Sequence, residues 1–231
     1  MRIVLNHITR FTGTRICIAG VELAELEHVR PTTPSSDPIT RELLSDEGGP
    51  VQIGALLDIG KATPDPSAPE TEDHLFATSD AELVELLDGD TYLEMLNSVS
   101  DRDIQTAFGP SLHRVSKGYA IDAGQGKRSL AVVRARETPT LAVDPWGKLR
   151  LTIPDMEHSP ALSVTDVRFV EKDHKTIKHS IVKDVNDRLA AGVDAFLMLG
   201  LARAIQFPWD TQERHWLQVN GICMTDRPLG G

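Results

Sequence analysis

Cysteine is almost missing from this sequence: two residues in 231, Cys17 and Cys223, each inside an apolar run. Two cannot build a disulfide scaffold or a cysteine zinc site, so both read as small buried hydrophobes. Membrane-length segments are missing too, since no apolar run approaches the roughly 20 residues needed to cross a bilayer. Met1 to Asn6 carries no basic region, apolar core and cleavage site of a secretory leader, and enters a strand-like run directly. A cytoplasmic protein without membrane contact is the expectation.

Catalytic signatures are also absent. There is no His-Glu-x-x-His, no Gly-x-Ser-x-Gly and no Cys/His metal spacing. His174 and His179 stand five residues apart, not the four that would stack them on a helix face. Gly124-Gln125-Gly126-Lys127-Arg128 looks like a phosphate loop, but the Walker pattern needs glycine where Ile121 stands and Ser or Thr where Arg128 stands. It reads as a turn. No catalytic residue, metal ligand or cofactor is assigned.

With 40% hydrophobic and 25% charged residues, the chain has the composition of an ordinary folded protein of one large or two small domains. Its net charge of -10 is unevenly spread. Residues 1 to 100 carry 6 Lys and Arg against 18 Asp and Glu, or 6 - 18 = -12, and residues 101 to 231 carry 18 against 16, or +2. A polyanion would have to meet a local patch in the second part. The acidic first part suits support or a protein partner.

The first half reads as strands at Arg2 to Thr9 and at Thr14 to Leu23, the second continuing into Glu27 to Arg30 until Pro31 stops it. A short helix fits Ile39 to Leu44, and another strand Val51 to Ile59. Ser79 and Glu82 fit a capping box, predicting a helix with Leu83, Leu86 and Leu87 on its apolar face. Further helices are expected around Tyr92 to Val99 and Asp101 to Phe108. Strand character returns over Leu112 to Ile121 and Ser129 to Arg136.

The second half is cleaner. Thr140 to Val143 and Lys148 to Ile153 form a hairpin around Asp144, Pro145, Trp146 and Gly147. Ala161 to Val170 is a third strand with a bulge near Thr165 and Asp166. Ile177, Ile181, Val182, Val185 and Leu189 mark one face of a helix that Gly192 ends. Ala195 to Ile205 and His215 to Met224 are the last strands. Strand, strand, strand, helix, strand, strand is the element order of an oligonucleotide/oligosaccharide-binding (OB) barrel.

The fold expectation is therefore mainly β with helices: two tandem OB-like five-stranded Greek-key barrels, each with a helical segment between strands three and four. The first spans 1–136, with a helical insertion at about 79–108, and the second spans 138–231. The third strand of the first barrel is open between His28 to Thr32 and Val51 to Ile59. The chain also resembles the dual OB-domain proteins of prokaryotes. The resemblance rests on Leu5-Asn6-His7, His28-Val29-Arg30-Pro31, Arg41-Glu42-Leu43-Leu44 and Ser163-Val164-Thr165-Asp166-Val167-Arg168, then Leu199-Gly200-Leu201-Ala202-Arg203 and His215-Trp216-Leu217-Gln218-Val219-Asn220-Gly221-Ile222. It implies tandem barrels and a nucleic-acid or nucleotide-binding role in prokaryotic conflict systems, with no catalytic residue to carry over.

OB barrels bind ligands across strands two and three, between the loop joining strands one and two and the loop joining strands four and five. On the second barrel those loops hold Trp146, and Phe207 with Trp209. Lys148 and Arg150 lie on strand two, Arg168 on strand three, and Arg203 and Arg214 bound the second loop. Together Trp146, Lys148, Arg150, Arg168, Arg203, Trp209 and Arg214 make a candidate site for single-stranded nucleic acid or a nucleotide, with rings stacking bases and cations meeting phosphates. The plainer reading is that the tryptophans cover barrel ends and the arginines pair with acids such as Asp166 and Asp210. Trp216, alternating with Leu217, reads as structural. The basic cluster Lys172, His174, Lys175, Lys178, His179 and Lys183 reads as a solvated helix entrance. Three function classes follow: a non-enzymatic nucleic-acid or nucleotide-binding module, a protein-interaction module using the same aromatic loops, and a nucleotide-processing enzyme.

Overall fold

The structure, a computed structural model, describes residues 1–116 and 118–229. Lys117, inside the strand expected over Leu112 to Ile121, and Gly230 and Gly231, at the end of the expected second barrel, lie outside it. The protein is mainly β, with few helices and two sheets. In the first half β1 (Arg2–Arg10), β2 (Ile16–Glu22), β3 (Glu27–Thr32) and β4 (Ala55–Asp58) are followed by the short β5 (Thr63–Pro64) and β6 (Asp73–Leu75), then β7 (Glu82–Leu86). Next come α1 (Gly89–Val99), β8 (Ser100–Asp101), α2 (Ile104–Phe108), β9 (His113–Val115), β10 (Gly118–Asp122) and β11 (Leu130–Arg134). The remainder is β12 (Thr140–Val143), β13 (Leu149–Thr152), β14 (Ala161–Val164), α3 (His179–Ala190), β15 (Ala195–Leu201) and β16 (Arg214–Met224).

The first sheet runs β5-β6-β3-β2-β1-β4-β7, and the second β12-β13-β14-β16-β15-β11-β8, with β10 pairing β16 and β9 beside it. Neither closes into a barrel. Parallel pairing interrupts the antiparallel ladders at β3 with β6 in the first sheet, and at β14 with β16 and β11 with β8 in the second. The third-strand ambiguity resolves with both segments as strands, β3 on β2 and β4 on β1. β3 is a separate strand, because the chain turns back between Glu22 and Glu27 with Leu26 at a φ of 56°.

Local choices follow from particular residues. Asp88 caps α1 by accepting the Thr91 N–H at 2.9 Å, and Asp103 caps α2 through the Thr106 N–H at 2.7 Å. The helix expected from Ser79 does not form. Thr78 is held by Asp37 through its hydroxyl (2.6 Å) and its N–H (3.1 Å), the Ser79 hydroxyl bonds Asp80 rather than a helix N–H, and Glu82–Leu86 takes the open edge of β4 as β7. Of the three leucines expected on a buried helix face, Leu83 and Leu86 stay out, nearly half exposed, while Leu87 is buried in the first core. The predicted bulge at Thr165 and Asp166 is where β14 ends and a single 3₁₀ turn over Val167–Phe169 begins, with Asp166 as its cap. The expected short helix near Ile39 is reduced to a 3₁₀ turn at Arg41–Leu43. Gly124 to Gly126 is a turn, but the strands on either side pair elsewhere, β10 with β16 and β11 with β15.

Two cores divide the apolar side chains. Strand β15 serves both: Leu197, Leu199 and Leu201 enter the core of the second sheet, while Phe196 and Met198 enter that of the first. Strand β11 does the same, with Ala131 and Val133 on one side and Val132 on the other. Every residue of β15 is buried, which its unbroken apolar run requires. The face expected for α3 packs as predicted, with Ile177, Val182, Val185 and Leu189 in the second core.

Candidate ligand-binding site

Asp144 organises the first candidate loop. Its Oδ1 accepts the N–H groups of Trp146 (3.0 Å) and Lys148 (2.9 Å), and its Oδ2 accepts Arg150 Nε at 2.9 Å. Burial acts to raise its pKa, and the hydrogen bonds from Lys148, Arg150 and Trp146 outweigh it, leaving the carboxyl below its usual range. An ionised turn residue thus fixes the hairpin and turns the Trp146 ring outward, 78% exposed. Arg150 also donates to the Ser163 hydroxyl on β14, which locks its guanidinium on the sheet face.

The second loop supplies a stack. Phe207 and Trp209 lie nearly parallel, 8° between planes and 5.5 Å between centroids. Both meet Trp216 of β16 edge-on, at 5.6 and 5.4 Å. Trp216 lies over the bare backbone of Gly118, where a Cβ would come within 3.3 Å of the ring. Its Nε1–H is buried without a hydrogen-bond partner among the described residues.

These groups share one cavity of about 610 Å³, lined by Trp146, Arg150, Phe207, Trp209 and Trp216 together with Arg114 and Tyr119. Of the seven residues singled out by sequence, Trp146, Arg150 and Trp209 line it. Lys148 is exposed beside the hairpin turn and is not in the wall. The other three arginines do not line it. Arg168 is held by Asp166 at 2.7 Å and donates to the Ile222 carbonyl at 2.8 Å. Burial alone would lower its pKa, and the Asp166 charge reverses this, raising it above its ordinary value. Arg214 is buried between Asp122 and Asp210, the latter at 2.8 Å. Arg203 meets Asp73 at 2.6 Å and Glu70 at 3.5 Å, and lines a different cavity. The pairing with Asp166 and Asp210 named as the plainer reading thus accounts for Arg168 and Arg214.

Trp216, read as structural, also lines this cavity, as do Arg114 and Tyr119, which sequence reasoning passed over. The alternation in β16 carried the information. Leu217 and Val219 face the core, so Trp216, Gln218 and Asn220 must share the opposite face. The basic cluster before α3 is mostly peripheral: Lys172 pairs Glu47 and Lys183 pairs Asp187 along the helix, while His174 is buried against the Phe11 carbonyl.

A family model described as the dual OB-containing domain matches residues 1–222. The chain belongs to the dual OB-containing domain family. No curated protein and no solved structure matched it. For a dual OB-containing chain the class of function is a binding module, and no helix among the described residues is long and apolar enough to cross a membrane. The aromatic cavity is built from β9, β10, β13, β14 and β16 of the second sheet, with the turn between β12 and β13 and the loop after β15.

Proposed function

We propose that the aromatic cavity binds single-stranded nucleic acid or a nucleotide. The observation that carries this reading is the convergence of Trp146, Phe207, Trp209 and Trp216 with Arg114 and Arg150 around one open cavity. Exposed rings offer stacking worth about 1–3 kcal/mol per base, and two guanidinium groups offer contacts to a phosphate. The unpartnered Trp216 N–H adds a donor for a base edge. The rings of Phe207, Trp209 and Trp216 are held by their mutual contacts, and Asp144 holds the Trp146 backbone, before any ligand arrives, which limits the ordering cost of binding.

The placement agrees with an OB reading of the second sheet. Strands β12, β13, β14, β16 and β15 then serve as barrel strands one, two, three, five and four, with α3 between the third and fourth. In the same reading β1, β2, β3, β6 and β4 are the corresponding strands of the first unit, opened between β4 and β6. The strand β11, on β15, extends the second unit back to Leu130. Fluorescence titration with labelled oligonucleotides tests the proposal: binding should weaken at least about tenfold in Trp146→Ala. Unchanged affinity in that variant, or binding only of a folded protein partner, would go against it.

A further inference from the structure

A second cavity, about 380 Å³, lies between the two sheets, walled by β1 to β3 on one side and by residues of β11, β15 and β16 on the other. In a chain of net charge -10 its lining contains four arginines, Arg10, Arg15, Arg30 and Arg203, and no Asp or Glu among the described residues. Two of these guanidiniums are set side by side by one buried acid. Asp73 takes Arg30 on Oδ1 and Arg203 on Oδ2, each at 2.6 Å. Arg10 is fixed by donating to the carbonyls of His174 (2.9 Å) and Val164 (3.2 Å), and has no acidic partner among the described residues. Arg15 has none either and is exposed at the rim.

Polar capacity is left over inside. Arg30 Nη2, the Thr32 hydroxyl and both ring nitrogens of His7 are buried without a hydrogen-bond partner among the described residues. His7 is 1% exposed and Arg30 9%. Asp73 and Glu70 offset the charges of Arg30 and Arg203, which leaves Arg10 and Arg15 without acids, and folding does not gather unsatisfied buried donors in one place for stability, since each costs free energy to desolvate. The other walls are apolar, with Ile16, Ile18 and Ile39 and the exposed ring of Phe11. The cavity volume is near the lower end for small-ligand sites.

The geometry points to this cavity as a second ligand site, one that binds a small phosphomonoester, the phosphate held by Arg15, Arg30 and Arg203 and the body lying against Phe11 and the isoleucine wall. Arginine forks match the oxygens of a phosphate dianion better than point charges do. The site differs from the aromatic cavity and shares only Gln218 with it.

The test is calorimetric titration with AMP, adenosine and inorganic phosphate. It uses the Trp146→Ala/Trp209→Ala protein, so that the aromatic cavity does not contribute and this inference can fail separately from the proposed function. One equivalent of AMP should bind, with adenosine at least about tenfold weaker, and Arg15→Ala and Arg203→Gln should each weaken AMP by about tenfold. Thermal melting without ligand should be near the parent value for Arg15→Ala, whose side chain supports nothing in the fold. Absence of AMP binding at millimolar concentration, adenosine binding as tightly as AMP, or AMP binding indifferent to both arginine variants would each overturn the assignment.

Discussion

Asp166 shows how much one side chain can carry. It is 2% exposed, caps the turn after β14 through the Arg168 N–H at 2.9 Å, and holds the Arg168 guanidinium. Removing it strands a largely buried cation, a loss of about 3–5 kcal/mol where such a pair is fully buried. We expect Asp166→Ala to destabilise by roughly 3 kcal/mol in urea unfolding, with Asp166→Asn recovering part of the capping contribution. The histidines give a pH signature. Burial holds His28 at about 4 against an ordinary 6.5 and lowers His7 well below its ordinary value too, with the neighbouring His28 and Arg30 adding to the latter. Both stay neutral when folded, so the unfolded chain binds more protons below pH 6.5 and stability falls with acidification. His28 alone accounts for a loss on the order of 3 kcal/mol between pH 6.5 and 4. Raised by burial, Glu72 acts in the opposite direction at the acidic end. Melting temperature should therefore drop below neutral pH, and the drop should be smaller in His28→Gln. These partners were not legible in the sequence, because neither the acid beside Arg203 nor the ring beside His7 is near it along the chain.

At the scale of elements, what the sequence announced was what period and capping determine locally. The α3 stripe, the Asp144 hairpin and the β16 strand formed where their residues predict. The helix at Ser79 did not, since a capping box is only a local preference and the unpaired edge of β4 offered a full ladder to the same residues. Strand β15 was recognised without its consequence. Its sequence, AFLMLGL, lacks the polar alternation of a one-sided strand, and that is the mark of burial on both faces. Its two faces should tolerate truncation equally badly. Phe196→Ala and Leu197→Ala remove side chains 1% exposed from different cores, and each should cost about 3–5 and 2–5 kcal/mol respectively in equilibrium unfolding. A small loss for either would show that its face is not part of a packed core.

For the whole molecule, the shared wall of β11 and β15 makes the two cores one mechanical unit. Backbone hydrogen bonds also join the halves, Arg10 N–H to the Thr165 carbonyl at 2.8 Å among them. Unfolding should be a single transition: tryptophan fluorescence, which reports the second sheet, and far-ultraviolet circular dichroism should give coincident curves. Separate transitions would mean that the wall does not couple the sheets. The uneven charge fits this arrangement, with the aromatic cavity in the half that carries +2 rather than -12.

The aromatic cavity as a single-strand or nucleotide site is tested most directly by titration of labelled single-stranded DNA and RNA at two salt concentrations, with Trp146→Ala/Trp209→Ala beside the parent. The parent should bind, with an affinity that weakens as salt rises because phosphates are contacted, and the double variant should lose about 2–6 kcal/mol. No binding at low salt, or equal binding by parent and double variant, would contradict it.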